Sequence, residues 1–354
     1  MYAITAWPAV RRPCSYPMRA LFLSIILAIG FLNCSSAQVQ NKYDACEKIT
    51  IGPGTEDFAL SPDGNTIYVS SHERRGWETP GELFAYNIKT RQVKKLARTG
   101  EPEDLFFAPH GVDVYAKGAE KFLYVVNHGK KINDADQSVV VYRLSEGALT
   151  FVTRVRHEFI NSPNDVAVAE NGSFYVTNDH GSRGSLWEVF WGLRRSKIAF
   201  CSLQGLTPNS PAQCVVATEG LAMANGPLVQ GNLLYVTATR DDALFVFTRQ
   251  ADGTLADKKK VAGIPGGDNL APYKQWLITA SHTSNWKFFR HVSSASNKAP
   301  SSIVAVDPLK NTVIDLYFSD GNEISAASGA FIHNGRLFIS QVFEDFILEC
   351  RPVQ

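Results

Sequence analysis

The sequence predicts an all-β chain folded as a six-bladed propeller, on three observations. From Gly54 onward the 354-residue chain is a succession of short β-type runs between turn residues, with no helical period longer than about ten residues. The runs recur. Tyr68, Tyr124, Tyr175, Tyr235, Leu277 and Phe338 hold equivalent places in six of them, at a loose period of about 54 residues, the length of a four-stranded blade. Cysteines stand near both ends of the mature chain, at Cys46 and Cys350, where a bridge would tie the first blade to the last. Two stacked sandwiches would also use short strands but give no reason for a repeated unit of this length.

The N-terminal segment is separate from this pattern. Leu21 to Leu32 reads LFLSIILAIGFL, preceded by Arg19 and followed by Ser35-Ser36-Ala37. At 1.5 Å per residue the run reaches about 18 Å, too short for a hydrocarbon core of about 30 Å. A basic flank, a short apolar run and small residues make a secretory signal cleaved after Ala37, leaving residues 38–354 as one domain. Met18 is a natural start for such a signal, so the residues before it read as an upstream extension. Two other readings stay open, an uncleaved signal that anchors the protein to a membrane and a buried N-terminal helix.

The strand runs follow in order: 66–70, 122–126, 173–177, 232–237, 276–279 and 336–340, each rich in β-branched and aromatic residues. Most are entered through a turn, at Asp63-Gly64-Asn65, Asn171-Gly172, Gly231-Asn232 and Asn334-Gly335. Asn171-Gly172-Ser173 is also a glycosylation sequon, usable in a secreted protein. Outside the signal segment four cysteines remain, an even number that suits an oxidising compartment. A Cys46–Cys350 bridge would close almost the whole chain into one loop, worth roughly 5 kcal/mol as an upper value in the chain-entropy model. Cys201 and Cys214 flank a polar loop, 206–211, that a local bridge would clasp. The lack of C-x-x-C spacing disfavours zinc and thioredoxin chemistry.

Lysine plus arginine number 35 and aspartate plus glutamate 34, a net charge of +1, so no positive excess exists to hold a nucleic acid. Nucleophile-elbow, H-E-x-x-H, Walker and G-x-G-x-x-G motifs are absent from the sequence. What recurs beside the strand runs is a set of oxygen-bearing pairs, Glu56-Asp57, Asn164-Asp165 and Asp268-Asn269, with Asn225 at a fourth place. Neighbouring residues on an extended strand face opposite ways, so one member of each pair can point along a central tunnel to its mouth and the other away. Two stacked cation sites can be built from them. Carboxylate and amide oxygens are hard donors, which favours calcium over zinc or copper. One such pair is an ordinary turn former; the recurrence is what carries weight. His110 and His128 bracket one hairpin and are candidates for a water-activating base. Asp179, His180 and His282 follow strand runs and are candidates for the pocket wall, whereas His157, His291 and His333 read as structural or exposed.

Together these segments resemble the paraoxonase/arylesterase family, calcium-dependent six-bladed propellers that hydrolyse lactones and aryl esters. The matching segments are Thr55-Glu56-Asp57, Pro109-His110-Gly111, Val125-Val126-Asn127-His128, Asn164-Asp165-Val166, Thr177-Asn178-Asp179-His180, Ala224-Asn225-Gly226 and Asp268-Asn269, in the family's order. The resemblance implies two calcium ions per chain. Glu56, Asn164, Asn225, Asp268 and Asn269 would hold the catalytic ion. Asp57, Asp165 and the backbone carbonyl of Val112 would hold the structural one. It implies His110 as base with His128 as its proton partner, with Asp268 as the alternative base or nucleophile, and Cys46–Cys350 as the family's terminal disulfide. The expected substrate is a small lactone or aryl ester.

The match has departures. The segment 187–200 aligns with a membrane-associating helix of vertebrate members, but Arg194, Arg195 and Lys197 interrupt it, which puts membrane or lipoprotein association in doubt. The pocket-wall residues 72–77 do not match clearly, so substrate preference does not transfer. Two competing functions are a sugar-lactonase propeller with one metal, separable by counting bound calcium, and a non-catalytic extracellular binding module, separable by calcium-dependent turnover.

Overall fold

A computed structural model describes residues 40–354, apart from 131–133, 146 and 208–209. The signal segment lies outside the described residues. The rest folds as six antiparallel sheets in a ring. Blade 1 consists of Phe58–Leu60, Thr66–Ser71, Glu82–Asn87 and Gln92–Lys95, blade 2 of Pro109–Lys117, Glu120–Asn127, Ser138–Ser145 and Ala148–Val155. Ala97–Thr99 adds a short parallel edge to blade 2. Blade 3 comprises Pro163–Val168, Phe174–Asn178, Ser196–Leu203 and Ala212–Leu221, and blade 4 comprises Ala224–Gln230, Leu233–Ala238, Ala243–Arg249 and Leu255–Gly263. Blade 5 runs Gly267–Tyr273, Trp276–His282, Ser301–Asp307 and Thr312–Ser319. Blade 6 is shared between the chain's ends: Ala327–His333, Arg336–Gln341 and Phe346–Pro352, completed by Tyr43–Thr50.

All six residues taken as equivalent in the repeat fall on the second strand of successive blades. Those strands are enclosed on both faces by neighbouring blades, which is why they read as near-continuous apolar runs. Outer strands such as Ala212–Leu221 are mostly half-buried or exposed, as an edge facing water should be. The core is correspondingly divided into wedges. Phe122, Tyr124 and Val139 of blade 2 pack on Phe174, Val176 and Ala199 of blade 3, and Ile49, Ile347 and Phe338 of blade 6 pack on Phe58, Ile67 and Tyr86 of blade 1. Each neighbouring pair of blades buries such a wedge, and the ring is closed. Asn334 and Gly335 both adopt positive φ, 49° and 76°, in the two-residue turn that the Asn-Gly sequence anticipates.

Both expected bridges form. Cys46–Cys350 joins strands of blade 6 drawn from opposite ends of the chain, 304 residues apart. Cys201 and Cys214 are direct partners on neighbouring strands of blade 3. Helix α1 (Leu186–Trp191) and helix α2 (Asn285–Ser293) lie in the connections that leave the second strands of blades 3 and 5. The first ends after six residues at Gly192, in the left-handed conformation, so the segment beyond Trp187 is a short helix followed by a strand. Trp187 and Trp191 on α1 and Trp286 on α2 are exposed. Among the described residues no helix is long and apolar enough to cross a membrane.

Candidate active site

The innermost strand of each blade begins at one end of the ring's axis, and there the strands depart from regular pairing. In blade 2 Pro109 pairs Asn127 but Val112 pairs Val125, so one residue is extra. The same shift occurs between Pro163 and Val166, Ala224 and Pro227, Gly267 and Leu270, and Ala327 and Ala330. It is a β-bulge repeated in five blades, and its two residues are the recurring sequence pairs. Glu56-Asp57 stands at the same place, just before the first paired residue of blade 1, Phe58. The expectation of opposed faces on an extended strand is therefore corrected. A bulge turns consecutive side chains towards the axis, and Asn269 reaches Glu56 although Asp268 beside it also points into the site.

The bulges build two tiers. First positions are Glu56, His110, Asn164, Asn225, Asp268 and Ser328; second positions are Asp57, Gly111, Asp165, Gly226, Asn269 and Gly329. In the second tier every other blade carries glycine. A Cβ on Gly111 would stand 2.2 Å from Asp165 Oδ1, and one on Gly226 would stand 2.5 Å from the Asn269 Cα. Gly111 and Gly226 each give room to the next blade's acid or amide, and a Cβ on Gly329 would meet Ser340 Oγ at 2.8 Å. This alternation is visible in the sequence as Asp, Gly, Asp, Gly, Asn, Gly, once the six positions are aligned.

Hydrogen bonds orient the amides of both tiers. Asn164 Nδ2 donates to Asp179 Oδ1 at 2.9 Å, Asn225 Nδ2 to Thr239 Oγ1 at 3.2 Å, and Asn269 Nδ2 to Glu56 Oε1 at 3.3 Å. Every amide thus uses its NH2 on protein. Their Oδ1 atoms, with Glu56 Oε2, are buried and accept no hydrogen bond. Asp268 Oδ2 lies 2.9 Å from His282 Nε2. In the second tier Asp57 Oδ2 accepts from Val112 N and Asp165 Oδ1 from Val166 N, both at 2.7 Å. Among the described residues no three His, Cys, Asp or Glu side chains converge as a metal-ligand group; the donors that do converge mix carboxylates with amides.

Crowding of carboxylates in a buried place has the expected electrostatic effect. Burial, reinforced by Asp57 and Asp268, pushes the Glu56 carboxyl well above its ordinary range, with Arg74 opposing. Burial raises Asp57 to about 7 and Asp179 to about 7. Asp165 is pushed well up by burial and then by Asp57. Buried acceptors without donors and carboxylates that resist ionisation are what a hard cation would relieve, so the donor set fits calcium.

The histidines behave in the opposite sense. His110 and His128 pack edge to face with ring centroids 4.8 Å apart, and His110 Nε2 lies 3.5 Å from Glu56 Oε2. Burial first, and then the Arg74 charge, holds His110 well below the usual imidazole range. His128 is lowered to about 3, chiefly by burial. His128 Nδ1 sits 2.8 Å from Gln137 Oε1, while Gln137 Nε2 donates to the His128 carbonyl. An amide oxygen can only accept, so Nδ1 carries the proton and Nε2 keeps its lone pair. His180 and His282 are both buried, His180 Nδ1 lying 2.9 Å from Ser162 Oγ and His282 Nε2 2.9 Å from Asp268 Oδ2. Asn171 is exposed in its turn.

His72, Arg74 and Trp77 belong to the loop 72–77, which the sequence places at the pocket wall without assigning any of them a role. Trp77 packs at 4.9 Å from His72 and 5.9 Å from His128. The available signal was positional, because they leave the second strand of blade 1 as Asp179-His180 and His282 leave those of blades 3 and 5.

A closed six-bladed ring with buried oxygen donors and neutral imidazoles on its axis defines a propeller with an axial polar site. The chain belongs to the family described as Arylesterase, whose match spans residues 45–350. It is 26% identical over 317 residues to the serum paraoxonase/arylesterase 1 of Mus musculus, covering 83% of this chain and 84% of that one. It is 23% identical over 308 residues to the serum paraoxonase/lactonase 3 of Homo sapiens, covering 82% and 84%. Among solved structures, a gluconolactonase from Xanthomonas campestris aligns with a TM-score of 0.56 at 16% identity, covering 87% of this chain and 89% of that one, and shares the fold.

Proposed function

We propose that this protein is a secreted, calcium-dependent hydrolase of carboxylic esters, acting on lactones or aryl esters at the axial mouth. The observation that carries the reading is the orientation of Asn164, Asn225 and Asn269, whose NH2 groups are all engaged and whose oxygens, with Glu56 Oε2, are buried without donors. Glu56, Asn164, Asn225, Asp268 and Asn269 would hold the catalytic calcium, and Asp57, Asp165 and the Val112 carbonyl a second, structural ion. Bound calcium would act as a Lewis acid on the substrate carbonyl oxygen.

The chain's own residues supply the proton chemistry. His110, kept neutral by burial and by Arg74, accepts a proton from water as the water oxygen bonds to the carbonyl carbon. His128 Nε2 is a buried, unpartnered acceptor beside it and receives that proton in turn. The carbon–oxygen bond of the ester then breaks, and the leaving oxygen recovers a proton. Asp268, bonded to His282, is the alternative base. Secretion would make Asn171 available for glycosylation.

The test assays phenyl acetate and a γ-lactone with calcium and after chelation, and counts bound ions. Calcium-dependent turnover with two ions per chain is expected, and absence of turnover on both substrates overturns the proposal. His110→Gln retaining full activity while Asp268→Asn is inactive would transfer the base role to Asp268.

A further inference from the structure

We propose that Arg74 anchors an anion subsite beside the scissile carbonyl, so that the preferred esters or lactones carry a carboxylate of their own. This deepens the hydrolase reading and rests on it. Arg74 lies on the mouth loop of blade 1 and is 7% exposed. Its Nη2 donates at 3.0 Å to the carbonyl of Pro109, the residue preceding His110. Nε and Nη1, which carry three of the five guanidinium N–H bonds, are buried without an acceptor. Glu56, Asp57 and Glu73 are close enough to feel the charge, yet no described carboxylate forms an ion pair with it. Glu73 Oε1 instead accepts from Arg75 N at 2.9 Å, and Glu56 Oε1 accepts from Asn269.

A guanidinium cannot escape by losing its proton, and a buried charge with open donors is costly. Glu56 and Asp57 relieve it less once a cation holds them, because their charge is then shared with that cation, and Glu73 is turned to the Arg75 N–H. A carboxylate does relieve it: two oxygens in one plane match the planar fork, and the bonds are charge-assisted. Trp77 supplies the wall. Its backbone takes φ +56°, a left-handed state uncommon for a bulky residue, and its ring stands between His72 and His128. A short methylene chain ending in a carboxylate would lie along that ring with its acid on Arg74. Hydrolysis would add one water and release an alcohol and a dicarboxylate, or a hydroxy diacid from a lactone.

The decisive comparison uses phenyl hydrogen glutarate, which is anionic, and its neutral methyl ester, on the calcium-loaded full chain and on Arg74→Gln and Arg74→Lys. The wild type is expected to favour the anionic ester in kcat/KM at least tenfold over the neutral one. Arg74→Gln is expected to cut that ratio at least tenfold, and Arg74→Lys to restore part of it. A ratio near one in the wild type, or an unchanged ratio in Arg74→Gln, overturns the subsite. Glutarate binding is read separately as a rise in Tm, present in the wild type and lost in Arg74→Gln; no rise in the wild type also overturns it. If glutarate binds but neither ester is turned over, the hydrolase reading fails and the assignment to a substrate fails with it.

Discussion

The two tiers of the axial site use the same bulge and the same blades, yet they are built to different ends. In the first, the Asn164 and Asn225 amide oxygens and Glu56 Oε2 are left without donors while both amide nitrogens are engaged. In the second, Asp57 and Asp165 accept backbone N–H groups, and glycine in alternate blades lets the chain close around them. The first tier leaves those oxygens open. The second ties one oxygen of Asp57 and one of Asp165 to backbone N–H groups.

The strongest break in that contrast is chemical. Glu56→Gln and Asp268→Asn keep shape and remove one charge each from the first tier. Loss of kcat/KM by about 100- to 1,000-fold is expected, the scale of losing an electrostatic group at developing charge. Circular dichroism should show the fold unchanged. Unaltered turnover on phenyl acetate would mean that the first tier is packing and not machinery.

Next in size is a steric test of the second tier. Gly111→Ala places a Cβ 2.2 Å from Asp165 Oδ1 and 2.5 Å from its Cα. Backbone cannot give way as a flexible side chain does, so a loss of about 3 kcal/mol is expected from overpacking, read by urea denaturation. Gly226→Ala meets backbone at 2.5 Å and should behave alike. Wild-type stability in both would show that the alternating glycines are not demanded by space.

Much of this contrast could be read in the sequence. The repeat was legible because second strands, enclosed on both faces, must be apolar along their length, and Tyr68, Tyr124, Tyr175, Tyr235, Leu277 and Phe338 all lie there. The pairs were legible because the repeat placed them at one point in successive blades. The bulge was not legible: an extra residue shows only in the partner strand's register, which a single strand does not encode. Arg74 was hidden for another reason. It lies in a loop without motif, and its meaning comes from Glu56, Asp57 and His110, which only the closed ring brings beside it.

The smallest effect concerns what surrounds the first tier, where burial disfavours the charged forms of His72 and His128. Burial, helped by Arg74, lowers His72 from 6.5 to about 4, and His128 is lower still, about 3. In the unfolded chain both take up protons near 6.5. As pH falls below that value the unfolded state binds more protons than the folded one, so stability is lost progressively down to the folded value. Tm should therefore decline between pH 6.5 and 4.5 at fixed calcium. Acids in the site also titrate over this range, so the informative quantity is the difference between the wild type and His72→Gln. Removing His72 removes one proton uptake, and the variant's Tm should fall less steeply with acid. Parallel slopes would mean that His72 is protonated in the folded mouth. The field around the first tier would then be more positive than burial and geometry imply, and the contrast with the backbone-satisfied second tier would widen.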